Sequence, residues 1–347
     1  MFAAYRATGA DPPFGDPRGY HGVGMEGYFW RITQPASGAV VVVLLAVNRD
    51  ASGGVWGMAA MAAHPGGFVR SASFASARAA RRGLGVQAAD CSGPPLVRAD
   101  DERLVVDLGP DARLDVTFEQ RVGWPRRAFG GIGAAQSIPW LSQYWHPHLL
   151  GARVHGEAVV GGAVLDLTGA TAYAEKNWGA GGHPPAWWWG QAHGFEREDV
   201  CVAFAGGEAT VGRVAVLATS VVVAVGGEVL RFVRPLVPLR VTVDGSGWRL
   251  RGRTARHDVE IEGHANGTQP HLLPVPVPCE RRRLEEFSAM HLAGEMRVRV
   301  RRRGRVVLDG VSVLAGLERG RGPHGGAAGG GGLSSLVRAD CVERSRC

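Results

Sequence analysis

Short segments of alternating hydrophobic and polar residues run through most of this chain, and turn residues separate them. Near the start, residues 28–33, 40–47 and 55–63 are strand-like segments of this kind, and the last two are almost wholly apolar. Later segments come in pairs around Gly-Pro-Asp or Gly-Gly: 103–108 with 113–120, 154–160 with 163–167, and 214–225 with 229–233. A period of two predicts strands, and a short Gly-rich link between two strands predicts an antiparallel hairpin.

Helical patterns are few, and we predict helices only at 142–149 and 281–291. The other segments give about fifteen strands, more than the roughly eight that fill one small barrel. The sequence therefore predicts an all-β fold with two antiparallel domains, at residues 1–195 and 196–320. Residues 321–347 are Gly-rich and then polar without periodicity, so we predict a flexible tail there.

The composition supports a globular β protein and argues against disulfide-rich, zinc-binding and membrane-spanning proteins. The 347 residues are 45% hydrophobic and 20% charged, which is typical of a globular chain. The five cysteines form no Cys-x-x-Cys pair, so neither a disulfide framework nor a zinc site is predicted. The longest apolar run, residues 39–47, is too short to cross a bilayer, and no secretory signal is visible at the N-terminus. We expect a cytoplasmic protein with reduced thiols.

The net charge of +7 needs a separate interpretation. Nearly all of the 39 basic residues are arginine, as in a high-GC coding background, and Lys176 is the single lysine. The sequence Met-Arg-Val-Arg-Val-Arg at 296–301 alternates with period two, which indicates a strand with a solvated arginine face. We therefore predict no nucleic-acid partner, whereas clustered arginines could bring the protein to an anionic membrane surface.

Residues 136–195 differ from the rest of the chain. They hold six of the ten tryptophans and five of the twelve histidines, besides the only lysine. An ammonium is compact and can change its pKa when buried, which a guanidinium does not do readily, so a single retained lysine suggests a specific role. His146 and His148 could offer metal ligands, but no carboxylate or cysteine completes a familiar spacing nearby.

Strand parity sorts the side chains of this segment. Tyr173, Glu175 and Asn177 fall on one face of a predicted strand, and Lys176 and Trp178 fall on the other. Trp187, Trp189, Gln191 and His193 likewise share a face. Such a wall suits a cavity for an apolar ligand with a few fixed polar groups. Three structural alternatives stay open: tryptophan packing in a core, an ion pair of Glu175 or Lys176 with a neighbouring strand, and a turn cap by Asn177.

Three central motifs resemble the tocopherol cyclase family: residues 139–156 (PWLSQYWHPHLLGARVHG), 172–179 (AYAEKNWG) and 184–192 (PPAWWWGQA). Weaker similarity extends to residues 25–31, 292–299 and 314–318, in the same order along the chain. The resemblance implies a lipocalin-like all-β fold with two related barrel or sandwich halves. It also implies a hydrophobic, often prenylated substrate, on which the family closes a chroman ring. His193 stands where the family pattern leads us to expect asparagine.

Ring closure on an alkene requires a neutral acid that is shielded from water. Glu175 and Asp166 are the candidate acids, with Glu175 favoured by its aromatic surroundings, and Glu26 is a third option unless it pairs with Arg31. His193 could accept the phenolic proton. The predicted substrate-binding residues are Lys176, Asn177, Tyr173, Trp178, Trp187, Trp189, Gln191, Trp145 and His146. The reaction requires no cofactor and no metal.

Two other functions use the same features. A non-catalytic carrier of hydrophobic small molecules would use the tryptophan wall alone. An enzyme of another class on this scaffold would hydrate an alkene or close a ring pericyclically. The mass of the product separates these possibilities.

Overall fold

The computed structural model describes residues 2–90, 93–180, 183–211, 214–245, 247–277 and 279–322. The predicted tail therefore lies, from residue 323 onward, outside the described residues. Within them the fold is all-β, as predicted, apart from a short helix at Phe2–Arg6 and a 3-10 turn at Gly133–Ser137.

The first sheet contains twelve strands. These are β1 Met25–Gln34, β2 Ala39–Arg49, β3 Val55–His64, β4 Phe68–Phe74, β5 Ser76–Ala79, β6 Gly85–Ala89, β7 Val97–Asp100, β8 Arg103–Asp107, β9 Ala112–Gly123, β10 Tyr144–Val160, β11 Ala163–Asp166 and β12 Thr171–Gly179. The order across the sheet is β4-β3-β2-β1-β12-β10-β9-β8-β7-β6-β5, and β11 pairs with β10. Every pairing is antiparallel.

The second sheet contains ten strands. These are β13 Ala186–Ala192, β14 Cys201–Val211, β15 Val214–Val225, β16 Glu228–Arg234, β17 Leu239–Asp244, β18 Gly247–Arg253, β19 His257–His264, β20 His271–Pro276, β21 Leu284–Arg302 and β22 Arg305–Arg321. The order is β16-β15-β14-β13-β22-β21-β19-β18-β17, with β20 on β21. The change of sheet falls between β12 and β13, so it does not coincide with the predicted domain division at residue 195, which remains a prediction.

Each sheet curls around its own hydrophobic core, as a lipocalin-like fold requires. Strands from opposite ends of the first sheet approach closely at Gly57 on β3, where a Cβ would lie 2.8 Å from that of Ala77 on β5. Glycine at this position therefore lets the sheet come close to forming a barrel. The first core includes Trp30 and Phe118, and the second includes Phe204 and Trp248.

A third hydrophobic cluster lies between the two sheets and draws residues from both. Its buried members are Phe29, Val40, Val42, Ala62, Trp145, Leu150, Tyr173, Trp189, Cys201, Ala203, Val222, Ala224, Leu273, Met290, Leu292 and Leu314. The strands in this layer are covered on both faces, so their apolar residues run on without alternation.

Both predicted helices are wrong, and double burial explains the first of them. Residues 142–149 fall largely in β10, whose first seven residues are all buried and therefore lack a strand-like alternation. Residues 281–291 fall largely in β21, where a pair of glutamates hides the period-two burial that is evident further along the strand. The predicted hairpins are confirmed, for example Val160 opposite Ala163 around Gly161 and Gly162.

The predicted arginine face on β21 is confirmed, and acidic neighbours partly neutralise it. Met296, Val298 and Val300 are buried in the second core. Arg299 forms an ion pair with Asp309 at 2.5 Å, and other arginines of this face have acidic partners on neighbouring strands. Among the described residues, no helix is long and apolar enough to cross a membrane.

Candidate active site

Strand β12 has two buried faces, and its side chains alternate between them. Tyr173 belongs to the cluster between the sheets, whereas Ala172 and Ala174 belong to the first core. Glu175 accepts hydrogen bonds on the Tyr173 side, and Lys176 donates to residues at one end of the first sheet. The prediction that Glu175 and Lys176 point in opposite directions is therefore confirmed.

Glu175 lies between the two sheets and is 3% exposed. Its Oε2 accepts a hydrogen bond from the Tyr173 hydroxyl at 2.5 Å and another from the Trp189 indole Nε1 at 2.8 Å. Trp189 comes from β13, so the two sheets meet at this carboxyl. The Trp189 ring also contacts Phe29 edge to face, with 5.1 Å between the ring centroids.

The surroundings of Glu175 favour its protonated form. Burial raises the pKa of this carboxyl to about 7, against the hydrogen bonds from Tyr173 and Trp189, which lower it. The indole nitrogen of Trp145 lies near enough to lower the pKa as well, but it makes no hydrogen bond of good geometry within the described part of the chain. Glu175 can therefore hold a proton near neutral pH, where an ordinary glutamate is ionised.

Glu318 on β22 is a second carboxyl at this layer, and sequence reasoning missed it. It lies opposite Trp189 in the pairing of β13 with β22. Its Oε1 accepts hydrogen bonds from Trp187 Nε1 at 2.7 Å and Ser288 Oγ at 2.8 Å. Glu318 is only half-buried by surface exposure, but the packing around its carboxyl still raises its pKa. The strand also contains Asp309, so its sequence does not single out Glu318.

Arg31 on β1 is buried without an acidic partner among the described residues. Its Nη1 donates to Thr33 Oγ1 at 2.7 Å and to Gln191 Oε1 at 3.0 Å, and its Nη2 donates to the carbonyls of Leu292 and Leu314. Burial lowers its pKa to about 9. Arg31 thus joins the first sheet to three strands of the second. The sequence showed it only as a partner for Glu26.

His193 is unsuited to the predicted role of proton acceptor. Its Nε2 lies 2.9 Å from the carbonyl oxygen of Leu150, which can only accept, so we assign the proton to Nε2. Its Nδ1 faces the Gln191 amide nitrogen at 3.3 Å. Burial lowers the pKa of His193 to about 4. Both ring nitrogens contact other groups and the ring is a weak base, so we no longer count His193 among the candidate catalytic residues.

Lys176 lies in an ionic cluster with Glu26 rather than in a ligand site. Its Nζ is 2.7 Å from Glu26 Oε2, 2.7 Å from the Gly19 carbonyl and 2.9 Å from His21 Nδ1, and Lys176 is 0% exposed. His21 also contacts Asp11 at 3.0 Å. These contacts hold the segment before β1 against the end of the first sheet. Because its donors are used, we remove Lys176 from the substrate-binding set.

Glu26 is ionised, unlike Glu175. Burial alone would raise its pKa, but the charge of Lys176 and the contacts with His21 outweigh that effect and lower the pKa to about 2. Burial lowers the pKa of Lys176, although its ion pair with Glu26 opposes the change. The pairing of Glu26 with Arg31 that the sequence suggested is not formed. This ionised state excludes Glu26 as the acid.

Asp166 is also excluded, because it lies on the surface at the end of β11. The backbone N–H and the side chain of Thr168 lower its pKa. An exposed, ionised carboxylate cannot deliver a proton to an alkene away from water.

The other predicted residues are divided among several environments. Trp178 stacks between His21 and Tyr144 and donates its indole N–H to the Gly9 carbonyl at 2.7 Å, so it is packing at the end of the sheet. His146 accepts a hydrogen bond from the Gly131 N–H at 3.2 Å, and burial lowers its pKa to about 3. Asn177 is half-buried, and its side-chain oxygen has no partner among the described residues.

The structure therefore brings Tyr173, Glu175, Trp145 and Trp189 together, with Gln191 close by on β13. Two pockets are described, one of about 330 Å³ beside β16 and one of about 340 Å³ beside the end of β9. Neither is lined by a residue between 173 and 193. The hollow that the sequence led us to expect beside Glu175 is not one of these two pockets, since side chains of both sheets pack there.

Residues 54–321 match the family model described as tocopherol cyclase-like, which is most of the chain. The chain belongs to the tocopherol cyclase-like family. A rice protein (Oryza sativa subsp. japonica) named "Probable tocopherol cyclase, chloroplastic" is 26% identical over 245 residues, which is 65% of this chain and 50% of the rice protein. The chain thus spans about half the length of this curated relative of the tocopherol cyclase-like family.

One solved structure supports the fold. The crystal structure of CghA matches with a TM-score of 0.52 at 13% identity, over 88% of this chain and 90% of that one. The structure of kievitone hydratase from Nectria haematococca has a TM-score of 0.49 at 12% identity, over 86% and 89%. At such low identity only the overall fold of this tocopherol cyclase-like protein can be compared.

Proposed function

We propose that this protein closes a ring on a hydrophobic prenylated hydroquinone or a similar isoprenoid, with Glu175 as the acid. The observation that carries the proposal is a buried carboxyl with a raised pKa, held by a phenol and an indole and lacking a cationic partner among the described residues. A carboxylic acid in such surroundings can stay neutral near pH 7 and donate its proton. Membership of the tocopherol cyclase-like family supports the same reaction type.

The proposed reaction is an internal rearrangement that needs no second reactant. The Glu175 proton moves to one carbon of a trisubstituted alkene, which leaves a tertiary cation on the other carbon. The phenol oxygen of the same molecule bonds to that carbon, and the phenolic proton then returns to the Glu175 carboxylate. Both Glu175 hydrogen bonds fall on Oε2, which leaves Oε1 to carry the proton.

The neighbouring rings suit the cationic intermediate. Trp145 and Trp189 are each 5% exposed and flank the carboxyl, so these rings keep water away from a cation formed beside it. Because neither described pocket reaches Glu175, the proposal also requires the facing side chains of the two sheets to part when the substrate enters.

The test is incubation with a prenylated hydroquinone followed by mass spectrometry. We expect an isobaric product that Glu175→Gln abolishes, while Asp166→Asn, the same chemical change on an exposed carboxyl, leaves turnover unchanged. Circular dichroism establishes that both variants are folded. A product heavier by one water would indicate a hydratase, and unchanged compound that nevertheless binds would indicate a carrier. Full activity in Glu175→Gln would remove Glu175 from the mechanism.

A further inference from the structure

The pocket of about 340 Å³ lies away from Glu175, between the segment before β1, the turn from β7 to β8 and the end of β9. Its apolar wall belongs to the first core and consists of Trp30, Leu84, Phe118 and Leu149, each at most 8% exposed. Two aromatic rings in this wall offer a surface for a flat, apolar group.

Three arginines line the same pocket with two aspartates. The aspartates are already engaged: Asp101 forms an ion pair with Arg18 at 2.6 Å, and Asp100 accepts two backbone N–H groups of the following turn. Arg121 donates to the Asp101 carbonyl. Arg126 is exposed and has no ion pair within the described ranges. The uncommitted charge at this rim is therefore positive.

His148 adds a polar group to the pocket. It is 8% exposed, and its Nε2 has no hydrogen-bond partner among the described residues. Burial keeps this ring neutral by lowering its pKa well below 6.5. A buried polar atom without a partner is energetically unfavourable, so a ligand that supplies a hydrogen-bond partner is favoured there.

We propose that this pocket binds a small hydroxylated aromatic carboxylate. The carboxylate lies against the guanidinium groups of Arg126 and Arg121, the ring lies against Trp30 and Phe118, and the ring hydroxyl pairs with His148. Guanidinium groups match a carboxylate in both charge and geometry, which favours an acid over a neutral ligand of the same shape. The site is independent of the chemistry proposed for Glu175.

Isothermal titration calorimetry with three probes tests the proposal. We expect 4-hydroxybenzoate to bind more tightly than benzoate, which lacks the hydroxyl, and more tightly than 4-hydroxybenzyl alcohol, which lacks the charge. Arg126→Gln should raise the Kd for 4-hydroxybenzoate about tenfold, the effect of losing one charge-assisted hydrogen bond, and leave that of the alcohol unchanged. Arg305→Gln, an exposed arginine of the second sheet, is the matched control.

His148→Leu provides the second variant. We expect it to abolish the preference for 4-hydroxybenzoate over benzoate while both acids still bind. Equal affinity of the acid and the alcohol, equal affinity of the two acids for the unmodified protein, or no heat of binding at millimolar concentration would each overturn the proposal. Because Arg126 is exposed, its variant tests the charge even if His148→Leu fails to fold. Since the experiment measures binding and not turnover, its outcome is separate from that for Glu175.

Discussion

Two glutamates lie on neighbouring strands of the first sheet and are almost equally buried, but they differ in protonation state. Glu26 on β1 is 0% exposed with a pKa of about 2, and Glu175 on β12 is 3% exposed with a pKa of about 7. Glu26 accepts hydrogen bonds from the Lys176 ammonium and from the backbone N–H groups of His21 and Gly22. Glu175 accepts hydrogen bonds from the Tyr173 hydroxyl and the Trp189 indole N–H, which are both neutral groups. Burial is the same in both places, so the partners decide the protonation state.

The comparison separates a structural charge from a reactive one. The cluster around Glu26 is internally compensated and closes one end of the first sheet. The carboxyl of Glu175 keeps a proton that it can give away, and it lies where residues of both sheets meet. The two buried carboxyls of this sheet therefore differ in role, because Glu26 pairs with the Lys176 ammonium, whereas Glu175 accepts hydrogen bonds from neutral groups.

Removing the charge of Lys176, the cation beside Glu26, should have the largest effect on stability. We expect Lys176→Met to lower the free energy of unfolding by about 3–5 kcal/mol, because it leaves the Glu26 carboxylate buried and unpaired. Urea denaturation measures this. The double variant Lys176→Met, Glu26→Gln should recover part of the loss, since neither charge remains. A loss below about 1 kcal/mol in the single variant would mean that the pair is not buried as described.

The contribution of Glu175 to stability should fall as pH rises. Its folded-state pKa of about 7 lies above the ordinary value of 4.5, so the folded protein holds a proton that the unfolded chain releases. Stability from Glu175 is present below pH 4.5 and is lost by about 3 kcal/mol as pH rises through 7. We expect the stability difference between wild type and Glu175→Gln to shrink by that amount from pH 4 to pH 8. A constant difference would show that Glu175 ionises normally.

The contribution of Glu26 to stability should change with pH in the opposite direction. Because the folded pKa of Glu26 is about 2, its stabilisation is present above pH 4.5 and is lost as pH falls towards 2. We expect acid unfolding of wild type to be steeper in this range than that of Glu26→Gln, measured by circular dichroism against pH. Parallel curves would contradict the ionised state assigned to Glu26.

The smallest effect should come from a single hydrogen bond at the second site. Tyr173→Phe removes the hydroxyl that donates to Glu175 at 2.5 Å. We expect a loss of about 1 kcal/mol in stability and a higher pKa for Glu175, since the phenol favours the ionised carboxylate. The alkaline limb of the pH–rate profile, where turnover falls as Glu175 loses its proton, should move to higher pH. An unchanged profile would mean that this hydrogen bond does not set the pKa.

Local patterns predicted much of this fold. Alternation at residues 154–160 and 163–167 predicted a hairpin, and the arginine strand at 296–301 faces outward as expected. Both failures, at 142–149 and 281–291, are in or beside the layer between the sheets, where burial on two faces or a short polar run removes the period of two. The opposite directions of Glu175 and Lys176 also followed from parity alone.

The candidate site was only partly predictable. Composition singled out the region around Lys176, but that lysine compensates Glu26, which lies 150 residues away in the sequence. Glu318 and Arg31 gave no local signal, because their roles depend on strands that meet only after folding.

Local patterns along the chain were enough to predict the all-β character, the hairpins and which side chains share a strand face, because strand geometry places neighbouring residues on opposite faces whatever packs against them. Three properties required the folded molecule: which carboxyl stays neutral, that Lys176 pairs with Glu26, and where the two sheets meet. Those properties depend on burial and on charges brought together from distant strands, and no local pattern records either.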